Sequence, residues 1–560
     1  MHISFSNRLF SSLTITADTE TNAETVWVTK DSSTLAYSDS QAGQVGFVDI
    51  TDPAMPAAAG TVALGGEPTT VRIHGDYAVV GVNTSPDFIN TSGKVAVIDI
   101  ASKTIIHEIN VMGQPDAIDV SKDEQYIAVA IENERDEDLG EGILPQMPAG
   151  FLVIIDTPTG TMPTEWTTRK VEMTGLDGIL YPEDPEPEYV AINSDNVAVV
   201  TLQENNGIVL VDLPTGNIVG SYSAGEVLVD QIDTMEEGVI NQVDALALLR
   251  EPDGVTWIGT EYYAIANEGD MDGGSRGFTI MDTEGNVVYD SGNEMELWTA
   301  RIGAYPEERS ENKGNEPENI MYSEFDDGSK YLFVLSERSS VVFVYDAADP
   351  TSPTLLQILP AGVGPEGIVP IPSKNVVAVA SEEDARGDKM RSSITLYGLE
   401  EGDPVFPVII SDARADGSFI PFAALSGLAS ASPYGLGIEG DENILYSIED
   451  SFFSQNRVLQ IDASSFPAVI TDEMRIMDSN DELAGCLAGM GMSPDPSAPI
   501  EPASSAISDI INVDKTVNID PEGIAVAAEG GFWLVSEGSG TVGDEARPFV
   551  SATKRHAYVC

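Results

Sequence analysis

Residues Asn315 to Ser340 read NEPENIMYSEFDDGSKYLFVLSERSS. A proline-acid pair, Pro317-Glu318, leads into a strand-like run. Asp326-Asp327-Gly328-Ser329 supplies a polar turn, and the apolar run Tyr331 to Leu335 follows, with an acid, Glu337, just beyond it. Short runs rich in Val, Ile and aromatic residues, bounded by Asp, Asn and Gly, are the signature of strands joined by tight turns. The stretch therefore reads as the first hairpin of a β-unit with an acid at each end.

The same unit recurs, and recurrence at this spacing is read before anything else. A weak copy runs from Thr25 to Leu64. Later copies open at Glu67-Pro68-Thr69-Thr70, Gln114-Pro115-Asp116-Ala117, Glu186-Pro187-Glu188-Tyr189, Val243-Asp244-Ala245, Glu316-Pro317-Glu318 and Gly364-Pro365-Glu366-Gly367. In most copies a third strand ending in Asp follows, as in VAVID and FLVIID, and then a fourth. Seven four-stranded units by about residue 400 predict an all-β fold, a β-propeller of about seven blades. After Glu401 a second set begins, with ENILYSIEDS, NRVLQIDASS and NIDPEGIAVAAEGGFWLVSEGSG, and it predicts a partial second propeller-like region. Helical periodicity is scarce; residues 481–492 are the one short helix expected.

Aligning the units produces two acidic columns. A leading column holds Asp116, Glu188, Asp244, Glu318 and Glu366; a terminal column holds Glu132, Glu204, Glu268, Glu337 and Glu382. Glu522 leads, and Glu449 and Glu537 end, the later units. Leading and terminal residues of antiparallel neighbours lie at one end of a sheet, and the first strand of a propeller blade lies nearest the axis. The ten acids are thus expected at one mouth of a central channel. Unit two departs, with Thr69 in the leading slot and no acid at the strand end. Crowded carboxylates repel unless cations neutralise them, and oxygen-only donor sets select hard cations, Ca²⁺ first. Asn133, Asn205, Asn206 and Asn267 add neutral oxygens. The competing reading gives the same acids to turns and to backbone N–H groups of neighbouring units.

Basic residues are scarce, 27 against 92 acidic, for a net charge of −65. That balance argues against nucleic acid or an anionic membrane as partner. Arg276, Arg301, Arg309, Lys313, Arg338 and Arg386 gather around units five to seven. Arg276, Arg309, Lys313 and Arg338 are the candidates for a substrate phosphate, since guanidinium groups suit oxyanions; ion pairing with the acidic ring is the alternative. Two cysteines and four scattered histidines offer no thiolate or imidazole metal site. No apolar run reaches the length of a membrane span. No nucleophile elbow, zincin motif or phosphate loop is present, and catalytic residues are not identified.

Residues 1–24 are expected to be a leader, either a degenerate signal segment or disordered. The propeller is expected over 25–401, a β-region over 402–551 and an atypical tail over 552–560, where ATKRHAYVC is basic in an acidic chain and suggests truncation.

Residues 115–400, through LPQMPAGFLVIID, EDPEPEYVAINSDNVAVVTLQENN, ANEGDMDGGSRGFTIMD, RSENKGNEPENI and GPEGIVPIPSKNVVAVASEED, resemble the choice-of-anchor I family of secreted bacterial β-propeller proteins. The part from about 405, with ALSGLA and NIDPEGIAVAAEGGFWLVSEGSG, resembles the esterase-like phytase family. The resemblance implies a periplasmic or extracellular protein and a calcium-dependent phosphoric-ester hydrolase, in which a metal-activated water attacks a phosphomonoester. A non-catalytic, calcium-stabilised surface or extracellular binding propeller is the alternative, and a metal-dependent esterase or lactonase the third. The partner is accordingly a small phosphoester substrate or an extracellular ligand.

Overall fold

The computed structural model describes residues 3–8, 20–271, 273–384, 390–432, 441–489, 510–528, 530–536, 552–554 and 557–559. Arg386, Glu537 and most of the expected leader lie outside the described residues. The chain divides into two compact units. The first comprises 1–230, 245–295 and 312–405; the second comprises 231–244, 296–311 and 406–560.

The first unit is a seven-bladed β-propeller. Blade one is Val26–Val28, Thr34–Asp39, Gln44–Asp49 and Ala57–Ala63; blade two is Glu67–His74, Tyr77–Asn83, Gly93–Asp99 and Thr104–Asn110. Blade three is Pro115–Val120, Tyr126–Ile131, Phe151–Asp156 and Thr167–Glu172; blade four is Pro187–Ile192, Val197–Leu202, Gly207–Asp212 and Asn217–Ser223. Blade five is Val255–Ile258, Tyr262–Ala266, Phe278–Asp282 and Val287–Asp290; blade six is Pro317–Glu324, Lys330–Ser336, Val341–Asp346 and Thr354–Pro360. Each is an antiparallel meander in chain order, and the first strands adjoin one another in a closed ring.

Blade seven closes that ring. Pro365–Ile371, Val376–Ser381 and Ser393–Glu401 supply three strands, and Ile3–Arg8 supplies the fourth, antiparallel to Ser393–Glu401. The reading of 1–24 as a leader is therefore corrected for residues 3–8. Phe5 is buried and meets Phe325, Tyr331 and Phe333 edge-on at centroid distances of 5.9, 5.3 and 5.5 Å. Its backbone is held at both ends by the Gln357 amide, at 2.9 and 2.8 Å. The sequence signal was a short alternation, ISFSNR, too weak by itself to declare a strand.

The core lies between blades rather than within one. Phe47 and Val62 of blade one pack with Val80 and Ile98 of blade two, and similar clusters join two to three, three through five, six to seven and seven to one. A middle strand is covered on both faces, so Val376–Ser381 is buried along its whole length. This explains why the sequence shows apolar runs there rather than alternation. The fourth strands face solvent on the rim and are mixed, as in Thr104–Asn110.

In the second unit Leu425–Ser430, Ile444–Glu449, Arg457–Asp462 and Ala468–Arg475 form one blade-like meander, and Ile409–Ser411 adds to its far edge in parallel with Ala468–Arg475. Pro521–Val526 and Phe532–Ser536 form a further hairpin. The helix expected over 481–492 is Glu482–Gly489. In the expected tail, Ala552–Lys554 pairs with Ala557–Val559. Segments 231–244 and 296–311, read from the sequence as part of the propeller, belong to this second unit.

Candidate cation-binding ring

Local backbone geometry aims the leading acids. In blades three, four, six and seven the register of the first hairpin slips directly after the proline, at Pro115/Ile118, Pro187/Val190, Pro317/Ile320 and Pro365/Gly367. Proline donates no ladder hydrogen bond, and an extra residue in one strand bends it and redirects a side chain. The residue redirected is the acid after the proline. The motif Pro-acid is thus a bulge that turns a carboxylate toward the propeller axis.

All seven blades contribute to one axial cavity of about 60 Å³. Thr25 comes from blade one, Thr69 and Thr70 from two, Asp116 from three, Glu188 from four, Asp253 from five, Glu318 from six and Glu366 from seven. Five of these are carboxylates, and no basic residue stands among the described lining. In blade five the leading acid is Asp253, not Asp244. Asp244 lies in the second unit, where its carboxylate accepts the Thr234 hydroxyl at 2.6 Å. The signal was available in Glu251-Pro252-Asp253-Gly254, which repeats the pattern of Glu316-Pro317-Glu318-Asn319. Gly254 is required at that position, since a Cβ there would lie 2.7 Å from the Asn319 Cα.

The terminal acids gather beside this ring. Glu268 joins Asp253 and Glu318, with one oxygen of each within 4.8 Å of the others. Two further triads have the same tolerance, Glu132 with Glu186 and Glu204, and Glu268 with Glu316 and Glu337. Each draws in a glutamate that precedes the proline, Glu186 or Glu316, both fully buried and neither anticipated from the sequence. Glu24, ahead of blade one, was missed as well; its field and that of Glu382 both reach Glu366.

Eleven of these acids resist ionisation. Burial, followed by the field of neighbouring acids, pushes Asp116 up to about 7. Burial is also the largest cause for Glu24, Glu204 and Glu337, each raised to about 8 although hydrogen bonds or nearby arginines oppose it. Glu132, Glu188, Asp253, Glu318 and Glu366 are held well above the carboxylate range by burial and then by one another. Glu268 and Glu382 are raised by burial too.

The basic residues sit on the acids. Arg338 reaches Glu316 at 2.8 Å and Glu337 at 2.9 Å. Lys313 stands 3.7 Å from both Glu268 and Asp270. Arg276 is buried and donates to the Asn312 carbonyl at 3.1 Å. Arg309 belongs to the second unit. Arg135, three residues past Glu132, was overlooked, yet it pairs with Glu204 at 2.8 Å, with Glu186 at 3.4 Å and with Asp270. Its partners are distant in sequence, so no local pattern marks it.

Three of the asparagines are corrected as oxygen donors. The side-chain carbonyls of Asn133, Asn205 and Asn206 accept the backbone N–H groups of Gln114, Glu186 and Glu251 at 3.0, 2.9 and 3.0 Å. They fix the strand starts instead of facing the cavity. Asn267 differs, for its Oδ1 is buried without a hydrogen-bond partner.

In the second unit Glu449 is fully buried and takes Arg457 in two bonds of 2.8 and 2.6 Å. Glu522 lies with Asp450 and Asp520 at an exposed edge.

A family profile for the Choice-of-anchor I domain matches residues 17–273 and 272–350, which together span well over half of the chain. The chain belongs to the choice-of-anchor I family. That match stops short of the stretch that resembles the esterase-like phytases. Among curated proteins nothing matches. Solved structures similar to this choice-of-anchor I protein include the RRP9 WD40 repeats, at 8% identity and TM-score 0.48 over 71% of this chain and 100% of that one. Another is a catalytically inactive virginiamycin B lyase from Staphylococcus aureus, at 12% identity and TM-score 0.44 over 71% and 100%. A third is Kuenenia stuttgartiensis hydrazine synthase, at 17% identity and TM-score 0.44 over 69% and 98%. Likeness at this level carries no chemistry from one propeller to another.

Proposed function

We propose that this choice-of-anchor I protein is an exported propeller that holds hard divalent cations, calcium first, on its axial carboxylate ring and serves as an extracellular or cell-surface binding module. The observation that carries the reading is the axial cavity: five carboxylates from five blades face about 60 Å³ with no basic residue among the described lining. Five negative charges there are stable only when protonated or when matched by cations. The donor set is entirely oxygen, and Ca²⁺ accepts six to eight such ligands in flexible geometry. Oε2 of Glu366, buried without a hydrogen-bond partner, suits a metal ligand. Asp116, Glu188, Asp253, Glu318 and Glu366 would hold the cation, with Glu268 beside them. Bound there, it would offset two of the five charges, tie blades three to seven together and offer coordination positions to an oxygen ligand.

The calcium-dependent phosphomonoesterase rests on the resemblance of the C-terminal stretch and finds less support in the ring. Lys313 and Arg338, which would steady a phosphate, are engaged by Glu268 and Asp270 and by Glu316 and Glu337. Arg276 is buried in the propeller. Calorimetric titration of Ca²⁺ into chelator-stripped protein tests the cation site, and absence of binding overturns it. Turnover of p-nitrophenyl phosphate or a p-nitrophenyl carboxyl ester, abolished by chelator, would replace the binding module with a hydrolase.

A further inference from the structure

We infer that the propeller carries a second, off-axis cation site at the junction of blades three and four, built from Glu132, Glu186 and Glu204. This rests on the reading that the propeller takes up hard cations, and it adds a site and a ligand, Glu186, that the axial ring does not use. The three carboxylates come from three strand ends: Glu132 closes the first hairpin of blade three, Glu186 precedes the proline of blade four, and Glu204 closes the first hairpin of blade four. One oxygen of each lies within 4.8 Å of the others. Their exposures are 8%, 0% and 4%, so solvent does not screen them.

Two observations separate this cluster from an ordinary acidic patch. First, Oε1 of Glu186 and Oε2 of Glu204 are buried and accept no hydrogen bond. A buried carboxylate oxygen without a donor is costly, and a coordinated cation removes that cost. Second, the base at hand does not balance the charge. Arg135 serves Glu186, Glu204 and Asp270 together and donates its Nε to the Gly142 carbonyl at 2.8 Å. Asp270 also has Lys313 at 3.7 Å, so one guanidinium is left against Glu132, Glu186 and Glu204. A divalent ion on the free oxygens would bring the cluster close to neutrality and leave Arg135 to orient Glu186 and Glu204 from behind, as outer-shell partners orient metal ligands.

The arrangement is also repeated. Glu268, Glu316 and Glu337 occupy the same three positions at the junction of blades five and six, again within 4.8 Å. A pattern that recurs two blades on, with the same pre-proline glutamate, follows from the repeat itself rather than from chance crowding. The ligand class is a hard divalent cation, because the donors are carboxylates alone.

The test uses the full chain stripped with chelator and titrated with Ca²⁺ alone. Bound calcium is counted by equilibrium dialysis with elemental analysis, and thermal stability is followed in parallel. Wild type is expected to bind at least two ions. E186Q keeps the shape and is expected to lose one ion or to weaken that site about tenfold or more. E318Q, on the axial ring, removes a different ion and leaves the E186Q-sensitive one. If E186Q binds the wild-type number with wild-type affinity, the inference falls while the axial reading stands. If only the E318Q-sensitive ion is missing from wild type, the axial reading fails and this one survives. Should E186Q not fold, anomalous diffraction from wild-type crystals soaked in Tb³⁺ decides: no peak between Glu132, Glu186 and Glu204 overturns the site.

Discussion

Asp253 of blade five and Glu318 of blade six bring carboxylate oxygens within 4.8 Å of each other beside the axial cavity. Burial and then the field of neighbouring acids hold both well above the carboxylate range. In the metal-free protein the ring is therefore partly protonated near neutral pH, and a cation competes with that proton for the same oxygens. Asp253→Asn and Glu318→Gln keep the shape and remove the ionisable group. Each is expected to raise the melting temperature of chelator-treated protein and to weaken Ca²⁺ about tenfold or more, read by scanning fluorimetry and calorimetric titration. Unchanged affinity in both variants would remove the axial site.

The pH dependence of the metal-free protein follows from the raised acids. Asp116 titrates near 7 in the fold, and Glu24, Glu204 and Glu337 near 8, against ordinary values of 3.8 and 4.5. Between those limits the folded chain binds more protons than the unfolded chain, so stability falls as pH rises. The contribution is complete below about pH 4 and lost as pH climbs through 7 to 8. Chelator-treated protein should melt lower at pH 8.5 than at pH 5.5, and saturating Ca²⁺ should flatten or reverse the trend. A melting temperature that rises with pH in chelator contradicts this assignment.

Phe5 joins the N-terminal strand to blade six through three aromatic contacts. Phe5→Ala empties that space and is expected to cost about 3–5 kcal/mol, measured by denaturant unfolding of the full chain. A variant with wild-type stability would restore the leader reading of these residues.

Arg457 in the second unit neutralises Glu449, which is fully buried, and also meets Glu473 at 2.7 Å. Arg457→Ala strands the buried Glu449 charge and is expected to destabilise this unit by about 3–5 kcal/mol. Glu449→Gln in the same background should recover part of the loss. Failure of the double variant to recover would show that packing of the guanidinium over Phe453, 5.4 Å from its ring centroid, matters more than its charge.

Much of the fold was legible in the chain. Units such as Pro187-Glu188 to Glu204 and Pro365-Glu366 to Glu382 repeat one hairpin with one acid at each end, and apolar runs such as Val376-Val377-Ala378-Val379-Ala380 announce strands covered on both faces. The exception in blade five has a physical cause. Residues 231–244 leave the propeller for the second unit, and Val243-Asp244-Ala245-Leu246 on the way back opens a real strand, Asp244–Leu249, which pairs with Glu226–Ile232 and not with blade five. The true start, Glu251-Pro252-Asp253, repeats the Pro-acid pattern, but only the closed ring of first strands decides between the two.

By itself the sequence determined the blade count, the all-oxygen character of the acidic ring and which residues end each hairpin, because these depend on local repeats and strand chemistry. Tertiary structure decided the rest. Ile3–Arg8 completes blade seven because the ring must close, and pairing across nearly 400 positions leaves no local trace. Arg135, Glu186 and Glu316 became part of the site only through blade packing, which brings their partners from remote turns. The bases near units five to seven offered themselves to a phosphate in the sequence. In the fold Lys313 and Arg338 are drawn onto carboxylates, since a buried acid binds the nearest cation more strongly than solvent can screen it.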